Sequence, residues 1–155
     1  MIDETSNIDD GRLIVPGLAG IYRGVAPLAY AAIRVITALS FLPIGLDRLF
    51  HDGATELAKP IAALGFAYPY AWGWAVTLNE SIGAILLGLG LFTRPAAFAI
   101  AVEMAVVAFG IMIKHGMFWP PHGLEVALLL GLVAFGFVLG GGGRYSLDRL
   151  IGREF

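Results

Sequence analysis

Arg34, Glu80 and Glu103 sit inside long apolar runs, whereas the other Asp, Glu, Lys and Arg residues fall in the tails or in short connectors. An ionisable group within a bilayer is costly, and it normally faces a partner or a cavity. Counting about 1.5 Å per helical residue from span starts at Ala26 and Pro95 puts Arg34 and Glu103 both about 12 Å deep. Glu80 falls about one to one and a half turns further out on the same count. An arginine side chain can bridge that offset, so Arg34 is expected to pair with Glu103 or Glu80, with Asn79 adjacent. Such a cluster supports three readings. It is a structural ion pair that fixes helix register, a polar floor that binds a quinone-like molecule or relays a proton, or a set of charges facing water in a cleft. Arg34, Glu80 and Glu103 are thus the candidate catalytic residues.

A second constellation gathers His51, Lys114, His115, His122 and Glu125, with Asp47 and Arg48 nearby, at the opposite ends of the same spans. Every histidine of the chain falls here. His122 and Glu125 are three apart and share a face if the last helix begins before His122. Two histidines and a glutamate could hold zinc or iron. A di-iron bundle site, however, draws on carboxylates and histidines from facing helices, and that pattern is missing. No histidine lies mid-span where a haem would need it. The metal reading is therefore set aside in favour of interfacial hydrogen bonding, and Asn79, His115, His122 and Glu125 remain as ligand-binding candidates.

Several chemistries are excluded outright. There is no cysteine, so thiolate catalysis, disulfides and Cys-ligated metals are absent from this chain. A Ser-His-Asp arrangement, a phosphate loop and a dinucleotide fingerprint are also missing. The glycines of GAILLGLG lie within a spanning run, not beside a phosphate-binding helix start. The net charge of −2, with no basic block, argues against nucleic acid as a partner.

The elements that must position these residues follow from composition. The 155 residues are 58% hydrophobic and only 14% charged, against about 25% charged in soluble domains. The expectation is an all-α integral membrane four-helix bundle, with spans near 26–46, 69–92, 95–113 and 124–139. The chain then divides into a polar or interfacial tail (1–25), the bundle (26–143) and a C-terminal tail (144–155). Pro43 should kink the end of the first span. HDGATELAKP reads as a polar connector, with 61–68 interfacial or tucked back as a short helix, and 13–22 interfacial. The first ten residues are acidic, unlike a secretory signal, so that tail is expected to be retained. Arg12, Arg23, Arg94, Arg144, Arg149 and Arg153 outnumber Arg48, Lys59 and Lys114 across the bilayer, which places both termini in the cytoplasm. The tryptophans, with Tyr68 and Tyr70, then lie at the outer interface. Small residues at four-residue spacing (Ala97, Ala101 and Ala105; Ala84 and Gly88; Gly136 and Gly140) are expected helix-contact faces.

Glu80 followed by IGAILLGLGLFTRPAA, then KHGMF at 114–118, Gly123, Glu125 and GRYSLD at 143–148 resemble, in order and spacing, the DoxX family of small four-span membrane proteins. The resemblance covers about residues 28–150. The family often has a His-Gly pair and a lysine at the end of span one. Here Ile44-Gly45 and Arg48 stand instead, so Arg48 keeps the charge and the histidine has no counterpart. The resemblance implies a bacterial cytoplasmic membrane, several passes and a link to redox, since the family is named for a subunit of a thiosulfate:quinone oxidoreductase. By matched position it singles out Glu80, His115 and Glu125. The expected function is a quinone-linked or redox-associated subunit that works with partner proteins, an oxidoreductase subunit whose redox centre comes from another chain. The alternatives are a non-catalytic accessory subunit and a small-solute carrier that would form a homo-oligomer.

Overall fold

The computed structural model describes residues 14–114 and 123–152, and within them every regular element is helical. Helix α1 (Ala19–Phe50) is an unbroken 32-residue rod, longer at both ends than the span expected at 26–46. It absorbs part of the stretch expected to be interfacial. Pro27 and Pro43 both lie inside it. Each removes one helical hydrogen bond, a loss that apolar helices tolerate when neighbouring elements hold the backbone.

The polar connector is itself a helix, α2 (Gly53–Ala63). Asp52 takes a left-handed backbone (φ 58°) to reverse the chain out of α1. Buried Gly53, Ala54 and Ala58 form the contact face of α2, and Glu56 sits favourably in its first turn. Helix α3 (Pro69–Leu78) opens with proline in its first turn, where the missing N–H costs nothing. It runs without interruption through a π-helical turn, Asn79–Gly83, into α4 (Ala84–Leu89). The three segments make one rod, 69–89.

A tight reversal at Gly90 (φ 69°) and Phe92 (φ 48°) leads into α5 (Thr93–Val106). This helix ends in a second π-helical turn, Val107–Ile111, and a short 3-10 turn, Met112–Lys114. Helix α6 (Leu124–Gly140) and the short α7 (Leu147–Ile151) complete the described chain.

Glycines set the packing register. A Cβ on Gly45 would lie 2.5 Å from the Glu80 carbonyl oxygen and the Ser81 nitrogen, so α1 and the 69–89 rod touch backbone to backbone there. Ala38 lies opposite Gly88 and Arg34 opposite Gly90, so the two rods are antiparallel. Gly131 of α6 meets Met104 of α5, and Gly73 of α3 meets the Ala54 carbonyl of α2. The core between these helices comprises Phe41, Leu87, Ile100 and Phe137 with small neighbours such as Ala84, Ala97 and Ala134. Of the expected small-residue faces, Ala84 and Ala97 are fully buried, but Ala105 is exposed and Gly136 faces open space.

The outside is as apolar as the inside. Leu39, Leu89, Phe98, Leu129, Leu132 and Leu139 all project outward. Two helices, Ala19–Phe50 and Thr93–Ile111, are long and apolar enough to cross a membrane, and only 28% of each apolar window is buried. A soluble core helix would hide most of that surface, whereas lipid accepts it.

Candidate functional site

The site is built around the π-helical turn. Thr77 and Ser81 turn their hydroxyls onto their own helix, donating to the Gly73 and Thr77 carbonyls at 2.9 and 2.6 Å. Their polarity is thereby spent internally. Gly83 leaves room for the Asn79 amide oxygen, which a Cβ would approach to 2.7 Å. The Asn79 amide nitrogen then donates to Glu103 Oε2 at 2.6 Å across the interface with α5. Glu80 is buried, and its carboxylate Oε2 is paired with an Arg48 guanidinium nitrogen from α1. The Glu103 carboxyl also lies within electrostatic reach of both Glu80 and Arg48. Three helical rods thus bring together one guanidinium, one amide and two carboxyls in surroundings that exclude most water.

Arg34 does not belong to this cluster. Its guanidinium donates to the carbonyls of Gly142 and Tyr145, the latter at 2.7 Å. The expected pairing with Glu80 or Glu103 fails because of helix register. Residue 34 lies opposite Gly90, at the end of the 69–89 rod, while Gly45 and Arg48 lie beside Glu80. The depth count had set Ala26 level with Pro95, but α1 extends past that end of its neighbour. Arg48, which the sequence grouped with the histidine constellation and matched to the family's lysine because the first span was expected to end at Leu46, is instead the cation of this cluster.

Glu125 stands apart, in the first turn of α6, where its Oε1 accepts from the Gly123 amide at 3.4 Å. Its Oε2 is buried without a hydrogen-bond partner among the described residues. His115 and His122 lie outside the described residues. His51 faces solvent beside Asp47, 3.1 Å from its carboxylate. Among the described residues no three metal-ligating side chains converge.

A model of the DoxX family matches residues 29–115, more than half of the chain. The chain belongs to the DoxX family. This DoxX membrane protein is also 36% identical over 85 residues to an uncharacterized protein of Haemophilus influenzae, a match covering 54% of this chain and 58% of that one. The aligned region therefore spans little more than half of that relative's length. No solved structure matches.

The matched DoxX region contains Arg48, Asn79, Glu80 and Glu103, while GRYSLD at 143–148 lies beyond it. In this DoxX chain that last segment forms a second polar knot. Asp148 accepts from the Phe92 and Thr93 amides at 2.8 and 3.0 Å and from the Thr93 hydroxyl at 2.7 Å, capping α5. The Asp148 amide returns a bond to the Gly90 carbonyl at 2.8 Å. Tyr30 donates to the Gly141 carbonyl at 2.9 Å and meets Phe137 edge-on. These contacts tie the C-terminal segment to α1, to the start of α5 and to the Gly90–Phe92 reversal between the rods.

Proposed function

We propose that this protein crosses a bacterial cytoplasmic membrane four times, with both termini in the cytoplasm, as a proton-handling subunit of a quinone-linked redox complex. The α3–α4 rod is 21 residues long by its bounds, about 31 Å at 1.5 Å per residue, enough for a hydrocarbon core. The 17-residue α6 is about 26 Å by the same measure. Together with the two longer apolar helices they supply four crossings, and the arginine distribution supports the orientation.

The observation that carries the reading is the Arg48–Glu80–Glu103 constellation. One permanent cation stands against two neighbouring carboxyls, and like charges placed that close favour one shared proton. The cluster is neutral with that proton and negative without it. It is therefore a place where a proton can be stored in the bilayer and handed on.

An apolar groove of about 540 Å³ lies alongside, walled by Leu64, Phe66, Val106, Phe109 and Gly110. Its size suits a small organic ligand. Val106 is three residues on from Glu103 along α5, so the nearest wall of the groove is about one helical turn from the cluster. We assign this groove, with Phe66 and Phe109 in its walls, to a flat quinone ring, and a bound quinol supplies two electrons and two protons. In this reading Glu103 accepts a proton at its carboxyl and passes it to Glu80, while Arg48 and Asn79 hold the two acids in place. The electrons are assigned to a partner chain, because this sequence has no cysteine ligands and no recognisable flavin or haem site.

Purification in a mild detergent, followed by mass spectrometry, tests the reading. A hetero-complex carrying quinone is expected, with turnover that collapses in Glu80→Gln and Glu103→Gln. A lone, quinone-free oligomer would overturn it in favour of a solute carrier. A complex whose turnover survives both replacements would reduce the chain to an accessory subunit.

A further inference from the structure

We propose that the polar pocket between α1 and α2 is the water port of buried Glu80 and, through it, of the carboxyl pair, with the Arg48 side chain as the movable link between pocket water and Glu80. The proposal rests on reading Glu80 and Glu103 as a proton-carrying pair. The pocket has a volume of about 520 Å³ and is lined by Ile44, Asp47, Arg48, His51, Glu56 and Leu57. It opens to water, because the Asp47 and His51 side chains are 75% and 74% exposed and Thr55, Glu56 and Lys59 are exposed beside it. Such a row of polar groups has no place in hydrocarbon.

Exposure falls steeply across a single ion pair. The Arg48 side chain is 28% exposed and the Glu80 side chain 8%. The guanidinium is therefore the boundary between pocket and cluster. Gly53, the first residue of α2, packs directly on the Arg48 stem, where a Cβ would lie 2.6 Å from Cγ. The stem is pinned at Cγ, so a swing of the guanidinium has to come from the bonds beyond it.

Two groups of carboxylates compete for that guanidinium. Asp47 and Glu56 line the pocket, and Glu80 lies behind. The charged and titratable groups around Arg48 are Asp47 from α1, His51 just past its end, Glu56 and Lys59 from α2, Glu80 from the π-helical turn and Glu103 from α5. When Arg48 turns toward the pocket carboxylates, water reaches Glu80 Oε2 and a proton crosses between them. When Arg48 returns, the cluster closes. Arginine keeps its own charge throughout, so it gates the proton without carrying it.

The absence of cysteine makes the test direct. Leu57→Cys in the full chain, in lipid nanodiscs, is labelled from water with a bulky uncharged methanethiosulfonate. The infrared carbonyl band of the carboxyl pair, assigned by its loss in Glu80→Gln or Glu103→Gln, is then followed after transfer to deuterated water. The unlabelled variant should exchange as the parent does, and the labelled one should lose its fast phase. Thr55→Cys, exposed on the same helix but outside the pocket lining, should take the label without effect. Unchanged exchange in the labelled Leu57→Cys variant, or a thiol there that water-borne reagent does not reach, would overturn the port. A parent with no exchangeable carboxyl band that either glutamine removes would instead overturn the reading of the pair itself.

Discussion

Replacing Arg48 by methionine removes the single cation from the buried cluster while keeping the length of the side chain. Breaking one side of a buried ion pair costs about 3–5 kcal/mol, because the remaining charge is left unmatched in a poor solvent. Two features of the structure favour the lower end. Arg48 is 28% exposed, so part of its interaction is already screened, and Glu80 has Glu103 beside it to share a proton. The expected cost of Arg48→Met is therefore about 3 kcal/mol. Glu80→Gln should cost less, about 1–2 kcal/mol, because the freed guanidinium can turn to water and to the acids of the adjoining pocket. The double variant removes both members of the ion pair together, leaving Glu103 on Asn79, so the two effects should fall short of additivity by about 1–3 kcal/mol. Unfolding in mixed micelles by a denaturing detergent, followed by circular dichroism and tryptophan fluorescence, measures all three. An Arg48→Met variant within about 0.5 kcal/mol of the parent, or strictly additive losses, would refute the pairing.

Gly45→Ala should destabilise by about 1–3 kcal/mol, because its Cβ would collide with the Glu80–Ser81 backbone, whereas Gly24→Ala, with nothing within 4 Å, should be neutral or better in the same assay. Asp148→Ala removes the cap on α5 and should cost about 1–2 kcal/mol, with faster hydrogen exchange at the Phe92 and Thr93 amides as its local signature. Arg34→Lys keeps the charge but loses the fork that reaches both the Gly142 and Tyr145 carbonyls. Limited trypsin digestion should then cut faster at Arg144 and Arg149.

The apolar runs were legible because a helix in lipid needs little else, and α6 (Leu124–Gly140) closely matches the run expected at 124–139. Helix α2 was not, since hydropathy ranks HDGATELAKP as a connector. What folds it is the small face of Ala54 and Ala58 against Gly73, a signal of size. Asn79, Glu80 and Glu103 stood out as polar groups in apolar runs, and their convergence follows from that cost. The partner, Arg48, stood out only as a charge at the end of span one and not as a member of this cluster. A depth count assumes level helix starts, and register here is set by glycine contacts that only the packed structure reveals. The π-helical turn at Asn79–Gly83 likewise leaves no mark in the side-chain pattern, yet it is where both neighbouring residues, Asn79 and Glu80, are put to use.

Helix α1 is clamped at two points by arginines of its own, Arg34 to the C-terminal segment and Arg48 to the carboxyl pair. They are 14 positions apart, about 21 Å along the axis. Between them lies Pro43, whose ring leaves one carbonyl without its helical donor. The helix is thus a strut with one compliant joint. A load applied at Arg48 reaches Arg34 only through Pro43, so bending there lets one end yield while the other stays anchored.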